Sequence, residues 1–220
     1  MRVGGASDTG KVRKANEDAY WFDDRLLIVA DGMGGHAAGE VAASVALNAA
    51  RAAIDAAEPG TEPAEEIVRR AVTAANLEVY QRACQEPRLH GMGTTLTLAW
   101  IAGGRAVVGH VGDSRAYHLT KDGLVQLTQD HSVVAELVRS GGLRASEAHA
   151  HPYRNLLTRA LGAAPAVEAD VSSVRLEPGE ALLLCTDGLT AVVQDDEIYR
   201  TLLDADDPGR CAQRLIELAN

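Results

Sequence analysis

The sequence predicts an α+β layered sandwich. Short strand-like segments come first, two long helical stretches follow, and strand texture then returns without the strand–helix alternation of a βαβ chain. Apolar runs bounded by turn residues supply the strands, and unbroken helix-forming stretches with four-residue apolar spacing supply the helices. At 220 residues the chain reads as one domain, residues 1–220, long enough to bury a core.

Ala19–Phe22 and Leu26–Ala30 flank Asp23-Asp24 and read as a hairpin. A glycine-rich loop, Asp31-Gly32-Met33-Gly34-Gly35-His36, leads to a first helix over Glu40–Ala57, which is nearly all good helix formers and ends before Pro59-Gly60. After Pro63, Ile67, Ala71, Ala75 and Val79 recur every four residues. Glu65/Arg69, Glu66/Arg70 and Glu78/Arg82 are spaced to support the other faces of this second helix. From Thr94 the pattern predicts an antiparallel meander: Thr94–Ile101, a Gly103-Gly104 turn, Arg105–Val111, Arg115–Leu119, an Asp122-Gly123 turn and Leu124–Leu127. Ser132–Arg139 is a short helix stopped by Gly141-Gly142, and the polar stretch on to Pro152 is a long excursion of the kind that covers a site. Val171–Leu176 and Glu180–Thr186 are strands around Pro178-Gly179. Pro208–Asn220 is a final helix with Cys211, Leu215, Ile216 and Leu218 as apolar members.

Lys+Arg 21 against Asp+Glu 31 leaves a net charge of −10 at pH 7, and there is no Lys/Arg run. Nucleic-acid binding rests on cations that displace phosphate counterions, so it is excluded, whereas an excess of carboxylates suits divalent cations. No segment approaches the ~18 apolar residues of a membrane span. The N-terminus Met1–Gly5 has no apolar signal region, and three dispersed cysteines, Cys84, Cys185 and Cys211, fit free thiols in a reducing compartment. The expectation is a cytoplasmic monomer with neither nucleic-acid nor membrane partners.

One pattern occurs twice. Leu26–Gly32 and Leu182–Gly188 are both apolar strands ending in Asp-Gly, at Asp31-Gly32 and Asp187-Gly188, and Val107–Ser114 brings a third carboxylate, Asp113, to a strand end beside Gly112. Asp-Gly is the commonest tight-turn dipeptide, and Asp122-Gly123 between short strands reads that way. Asp31 is instead followed by Met-Gly-Gly-His and a helix, and Asp187 by no immediate strand, so neither fits a two-residue hairpin. Rigid strands can bring such carboxylates to one edge, and their like charges call for a cation. An oxygen-only donor set without His or Cys spacing selects hard ions, Mg²⁺ or Mn²⁺.

Hairpin pairing returns Arg13-Lys14-Ala15-Asn16-Glu17-Asp18 to the Asp31 neighbourhood. There Arg13 is suited to clamp a phosphate, and Glu17 or Asp18 to complete a second metal position; a solvated charged loop is the other reading. The Gly32–Gly35 loop has neither the Lys-Ser/Thr ending of a P-loop nor Gly-x-Gly-x-x-Gly spacing, which leaves nucleotide binding only the backbone N–H groups to rest on. His36, His110, His118, His131, His149 and His151 show no ligand spacing and read as surface or hydrogen-bonded histidines.

The combination Arg13…Asn16-Glu17-Asp18, Ala30-Asp31-Gly32-Met33-Gly34-Gly35-His36…Gly39-Glu40, Gly93-Thr94-Thr95, Val111-Gly112-Asp113-Ser114-Arg115-Ala116-Tyr117, Asp130-His131-Ser132, Thr158-Arg159-Ala160-Leu161-Gly162 and Thr186-Asp187-Gly188 resembles the bacterial branch of the metal-dependent, 2C-type Ser/Thr protein phosphatases. The motifs stand in the family's order across residues 7–190, and jointly they are far more specific than any one of them.

This resemblance implies a four-layer αββα sandwich, two antiparallel sheets face to face with helix pairs outside, and two Mn²⁺ or Mg²⁺ ions at one end. It implies that Asp31 bridges the ions, that the Gly32 carbonyl, Asp187 and the Glu17-Asp18 pair supply further direct or water-mediated ligands, and that Asp113 serves a third, weaker ion. Arg13 holds the substrate phosphate on this reading, so that Arg13, Asp18 and Asp31 are the implied catalytic residues, and a flap at about 131–152 influences substrate choice. The implied reaction is hydrolysis of phosphoserine and phosphothreonine in phosphorylated proteins by a metal-activated water, opposing a bacterial Ser/Thr kinase, with no phosphoenzyme.

Two departures from the family's pattern qualify the likeness. Met33 stands where eukaryotic relatives have a histidine proposed as general acid, which leaves the acid unassigned and His36 as a candidate. The pattern also continues past the final helix into a Gly-rich turn, Asp-Asn-Ile/Val-Thr and a last strand, whereas the sequence given stops at Asn220. On that comparison one metal ligand and the last strand are missing, and the alternative expectation is a catalytically impaired, phosphatase-like regulatory or binding module.

Overall fold

A tight turn starts the larger of two sheets. The Asp23 carboxylate accepts the main-chain N–H groups of Arg25 and Leu26 at 2.7 and 2.8 Å, folding β1 (Asp18–Phe22) back along β2 (Leu26–Met33). The structure, a computed structural model, describes residues 1–34, 38–58 and 60–220; His36, the candidate acid, lies outside them. After β2 come α1 (Ala38–Asp55), α2 (Ala64–Gln85), the short β3 (Gly93–Thr94), β4 (Leu96–Ala102), β5 (Arg105–Val111), β6 (Arg115–Thr120) and β7 (Gly123–Gln126). The chain continues through α3 (Val133–Arg139), α4 (Ala145–Ala148), β8 (Asp170–Arg175), β9 (Ala181–Cys185), α5 (Asp187–Thr190), α6 (Asp195–Leu203) and α7 (Pro208–Ala219).

The larger sheet runs β1-β2-β4-β5-β8 with β3 paired to the end of β2, and the smaller one runs β7-β6-β9; every pairing is antiparallel. Strand alternation sorts side chains into layers. Leu26, Ile28 and Ala30 of β2, with Leu96, Leu98 and Trp100 of β4, bury against α1 and α2. Leu27, Ala99 and Val108 turn to the opposite face and meet Ala116, Leu182 and Leu184 of the smaller sheet. The outer face of that sheet, Tyr117, Leu183 and Cys185, packs on Leu189, Val193, Ile198, Cys211 and Leu215 from α5 to α7. The result is the α+β sandwich of four layers that the sequence suggests.

Few aromatics are needed because α1 and α2 face each other and the sheet through alanines, Ala42, Ala43, Ala46, Ala50, Ala71 and Ala75 among them, all fully buried. Local chemistry sets several helix starts. Ser132 accepts the Ala135 N–H at the head of α3, and Asp207 accepts the Arg210 N–H ahead of Pro208 in α7. Among the described residues no helix is long and apolar enough to cross a membrane.

Three expectations change. The meander is two hairpins in different sheets: β4–β5 belongs to the larger and β6–β7 to the smaller, with Val111–Ser114 crossing between them and Gly112 at φ +113°. The Glu/Arg pairs on α2 are not the ones expected; Arg69 sits 3.6 Å from Glu66, Arg70 2.6 Å from Glu62 and Arg82 3.1 Å from Glu86. Long exposed side chains choose among several partners of similar energy, so spacing alone does not select one. α3 falls on the short helix expected at Ser132–Arg139, but the excursion beyond it also contains α4, and α5 and α6 fill the stretch between β9 and α7.

One buried amide ties the segment after the excursion to the helical layer. Asn76 of α2, 1% exposed, accepts the Gly162 N–H at 3.0 Å and donates to the Ala164 carbonyl at 3.1 Å. That segment pairs in turn with β3, Leu161 and Thr94 exchanging both main-chain bonds. Asn76→Ala leaves the buried Gly162 N–H without its partner and removes the bond to the Ala164 carbonyl, and is expected to cost about 1–3 kcal/mol in urea unfolding; a loss within 0.5 kcal/mol, about what an ordinary surface change costs, would contradict this anchoring role.

Candidate active site

Strand register brings the first two carboxylates together. Asp18 stands opposite Asp31 across β1–β2, so both point to the same, inner side of the sheet. From the other sheet, β9 ends at Cys185; the Thr186 hydroxyl donates to Asp18 Oδ2 at 2.8 Å, and Asp187, the first residue of α5, comes within hydrogen-bonding reach of Asp31. Asp113, on the crossover between β5 and β6, adds its charge to those of Asp18 and Asp187 around Asp31. Four segments thus deliver four carboxylates to one end of the layer between the sheets.

Main-chain bonds hold Asp31 in place. Its N–H donates to Thr95 Oγ1 at 2.9 Å, while its carbonyl accepts the Thr95 N–H and the Thr94 hydroxyl, each at 2.9 Å. Thr95 Oγ1 also lies 2.7 Å from Ser114 Oγ, which connects Asp31 to the residue following Asp113. Gly32 donates its N–H to the Glu17 carbonyl at 3.1 Å, and a Cβ on Gly32 would come within 2.0 Å of the Gly39 carbonyl oxygen. Only glycine lets the start of α1 pack this tightly on the end of β2.

The electrostatics follow from this crowding. Burial first, and then the charges of Asp18 and Asp187, push the Asp31 carboxyl up to about 9. Burial and Asp187 push Asp113 up to about 7. Burial also raises Asp18, against the opposing effects of the Thr186 bond and the Arg13 charge. Each shift expresses the cost of like charges in a poorly solvated place, a cost that a divalent cation removes. The donors are all oxygens, as hard ions prefer. Among the described residues no three His, Cys, Asp or Glu side chains form a ready-made metal cage. The set therefore fits an ion through its chemistry and charge rather than through a finished coordination shell.

Not every residue named from the sequence joins the cluster in the same way. Glu17 meets Gly32 through its carbonyl, while its carboxylate is tucked beside Gly39 and lies 3.5 Å from Arg13. Arg13 stands at the rim, its side chain 74% exposed, close enough to Asp18 to favour its charged form. Two concavities of about 450 and 430 Å³ lie beside Arg69, and none of the four aspartates lines either one. The anchoring roles of Thr186, Thr95 and Ser114 depend on bonds between segments far apart in sequence, which no spacing reveals.

Behind the cluster lies a buried polar layer. His110, 1% exposed, bonds through Nδ1 to Thr97 Oγ1 at 2.9 Å and through Nε2 to the Gln129 carbonyl at 3.1 Å, with the His131 ring 4.8 Å away. Burial, and then the nearness of His131, push His110 down to about 4. Both histidines are hydrogen-bonded, one of the two readings given to them from the sequence.

The family profile for protein phosphatase 2C matches residues 13–207. The serine/threonine protein phosphatase PstP of Mycobacterium tuberculosis is 43% identical over 219 residues, covering 100% of this chain and 42% of PstP. The serine/threonine phosphatase stp of Listeria monocytogenes is 42% identical over 204 residues, covering 89% of this chain and 81% of stp. The chain thus spans less than half the length of PstP. Among solved structures, the M. tuberculosis phosphatase PstP/Ppp superimposes with a TM-score of 0.90 at 43% identity, over 97% of this chain and 89% of that one. The catalytic domain of PstP in complex with two manganese ions superimposes with a TM-score of 0.87 at 42% identity, over 97% of this chain and 89% of that one.

Two measurements test the site without reference to turnover. Mn²⁺ at about 100 times its dissociation constant should stabilise the protein over its chelated form by about 2.7 kcal/mol. Asp31→Asn should lose most of that gain in thermal unfolding; an equal gain in the variant would detach Asp31 from ion binding. The second measurement concerns His110, whose folded value lies below the ordinary 6.5. Its contribution to stability is present above pH 6.5 and is lost as pH falls through about 4. Urea unfolding in chelator should show the parent chain losing on the order of 2 kcal/mol more than His110→Gln across that window. Parallel profiles would clear His110 of the effect.

Proposed function

This chain belongs to the protein phosphatase 2C family, and from that premise we propose that it hydrolyses phosphoserine and phosphothreonine in phosphorylated proteins at a centre of two Mn²⁺ or Mg²⁺ ions. The observation that carries this reading is the meeting of Asp18, Asp31, Asp113 and Asp187 at one end of the inter-sheet layer, with Arg13 at its rim. Asp31 and Asp187 would hold the ions together with the Gly32 carbonyl and the Glu17-Asp18 segment, and Asp113 would hold a third, weaker one. The two manganese ions in the PstP catalytic-domain structure support a two-ion centre in this fold. Such cations supply positive charge, which acidifies water and offsets the charge that gathers on a phosphoryl group in transfer.

The protein's own groups do the rest by placement. The Arg13 guanidinium is exposed and matches a phosphate in two parallel hydrogen bonds, which orients the monoester toward the carboxylate cluster. Thr186 occupies one oxygen of Asp18 and fixes the plane of that carboxylate. The segment at about 131–152, carrying α3 and α4, is the flap of this reading, and exposed Tyr153 and Leu156 just beyond it offer apolar contacts to a polypeptide. The partners on this reading are phosphoproteins and the bacterial Ser/Thr kinase that modifies them.

Hydrolysis of p-nitrophenyl phosphate and of a phosphothreonine peptide, with Mn²⁺ and with chelator, tests the proposal. Asp31→Asn should lower kcat/KM at least ~100-fold, and Arg13→Ala should act on KM for the peptide more than on kcat. Turnover in chelator, or full turnover by Asp31→Asn, would overturn it. Phosphopeptide binding without turnover would favour the regulatory-module alternative.

A further inference from the structure

His131, at the start of the proposed flap, has no chemical part in the reading above, yet it joins two parts of the fold that the reading uses. Its ring is 1% exposed and bonded at both nitrogens: Nδ1 accepts the Gly112 N–H at 3.1 Å, and Nε2 lies 3.1 Å from Asp170 Oδ2. Its main chain repeats the connection, the N–H donating to the Gly112 carbonyl at 2.7 Å and the carbonyl accepting the Thr158 N–H at 2.9 Å. One residue therefore pairs with both main-chain groups of Gly112, which precedes Asp113, and also with the segment that returns from the excursion carrying α3 and α4.

The donors and acceptors determine where the proton is. A main-chain N–H can only donate, so the bond from Gly112 requires a lone pair on Nδ1 and places the ring proton on Nε2, where the Asp170 carboxylate accepts it. Asp170 is held by Arg159, whose Nη1 donates to the other carboxylate oxygen at 2.8 Å. Gly112 itself has little room to adjust: at φ +113° it lies against Thr95, and a Cβ there would come within 2.5 Å of the Thr95 side chain.

We propose that Arg159, Asp170 and His131 form a positioning chain that fixes the His131 tautomer and, through Gly112, the placement of Asp113, and so sets the affinity of the weakest divalent ion. The chain rests on the reading of Asp113 as a ligand. His131 and Asp170 are positioning residues; neither touches substrate or ion.

Direct Mn²⁺ binding to the metal-free protein, by calorimetry and by the spin-resonance signal of free Mn²⁺, tests this alongside thermal unfolding. Asp113→Asn should abolish the weakest binding step. Asp170→Asn and His131→Gln should weaken that step about 10-fold and leave the tighter steps within about 2-fold. His131→Asn, whose Oδ1 can replace Nδ1 as the acceptor for Gly112, should retain most of the affinity; a role limited to filling space would affect the Asn and Gln variants alike. The inference is overturned if Asp113→Asn loses the weakest step while Asp170→Asn and His131→Gln bind like the parent. It is also overturned if they weaken every step equally and in proportion to a fall in Tm. If Asp113→Asn leaves all steps unchanged, the ligand reading of Asp113 fails and the positioning chain fails with it; a parent chain that binds no Mn²⁺ removes the proposed function itself.

Discussion

Gathering like charges at one end of a sandwich is the constraint on which the rest of this structure depends. Burial raises the carboxyls of Asp18, Asp31 and Asp113, and the nearby charge of Asp187 raises each of them further. Nothing in an apolar core recommends such an arrangement. It persists because strand register and cross-sheet bonds specify it, and because cations can repay its cost. The layers serve that end: small residues such as Ala99, Val108 and Ala116 let the two sheets approach, so a strand end from each supplies the same site.

How the carboxylates are fixed bears on what they can do. Asp31 is held through its N–H and carbonyl by Thr94 and Thr95, and Gly32 through its N–H by Glu17. Main-chain anchoring settles the direction of the side chain without using its oxygens as acceptors. A site built the other way, with each carboxylate bonded to buried donors, would have its acceptor capacity already spent and would bind cations poorly. Thr186, by contrast, takes one oxygen of Asp18. Asp18 thus has less acceptor capacity to offer than Asp31, in keeping with a flanking position rather than a central one.

Much of the site could be read in the sequence, for a physical reason. An apolar run ending in Asp-Gly states both that a strand is buried and that its last carboxylate stands beside a close backbone approach, and Asp31 and Asp187 both carry that signature. What could not be read was which sheet each strand joins. Arg105–Val111 and Arg115–Leu119 have the local texture of one continuing meander, and only the left-handed turn at Gly112 and the packing of Tyr117 on the outer helices assign them to different sheets. Likewise, no periodicity distinguishes His131, bonded at both ring nitrogens across the fold, from a histidine on the surface.

The arginines show how an acidic chain can still receive an anion. Arg115 is committed to Asp130 through three hydrogen bonds of 2.7–3.1 Å, with a further bond to the Tyr117 hydroxyl, and Arg159 is committed to Asp170. Arg13, mostly exposed and only loosely paired with Glu17 at 3.5 Å, keeps its donors available at the rim. On the proposed function, cations held by the carboxylate cluster would add their attraction for a phosphate dianion to that of this single guanidinium.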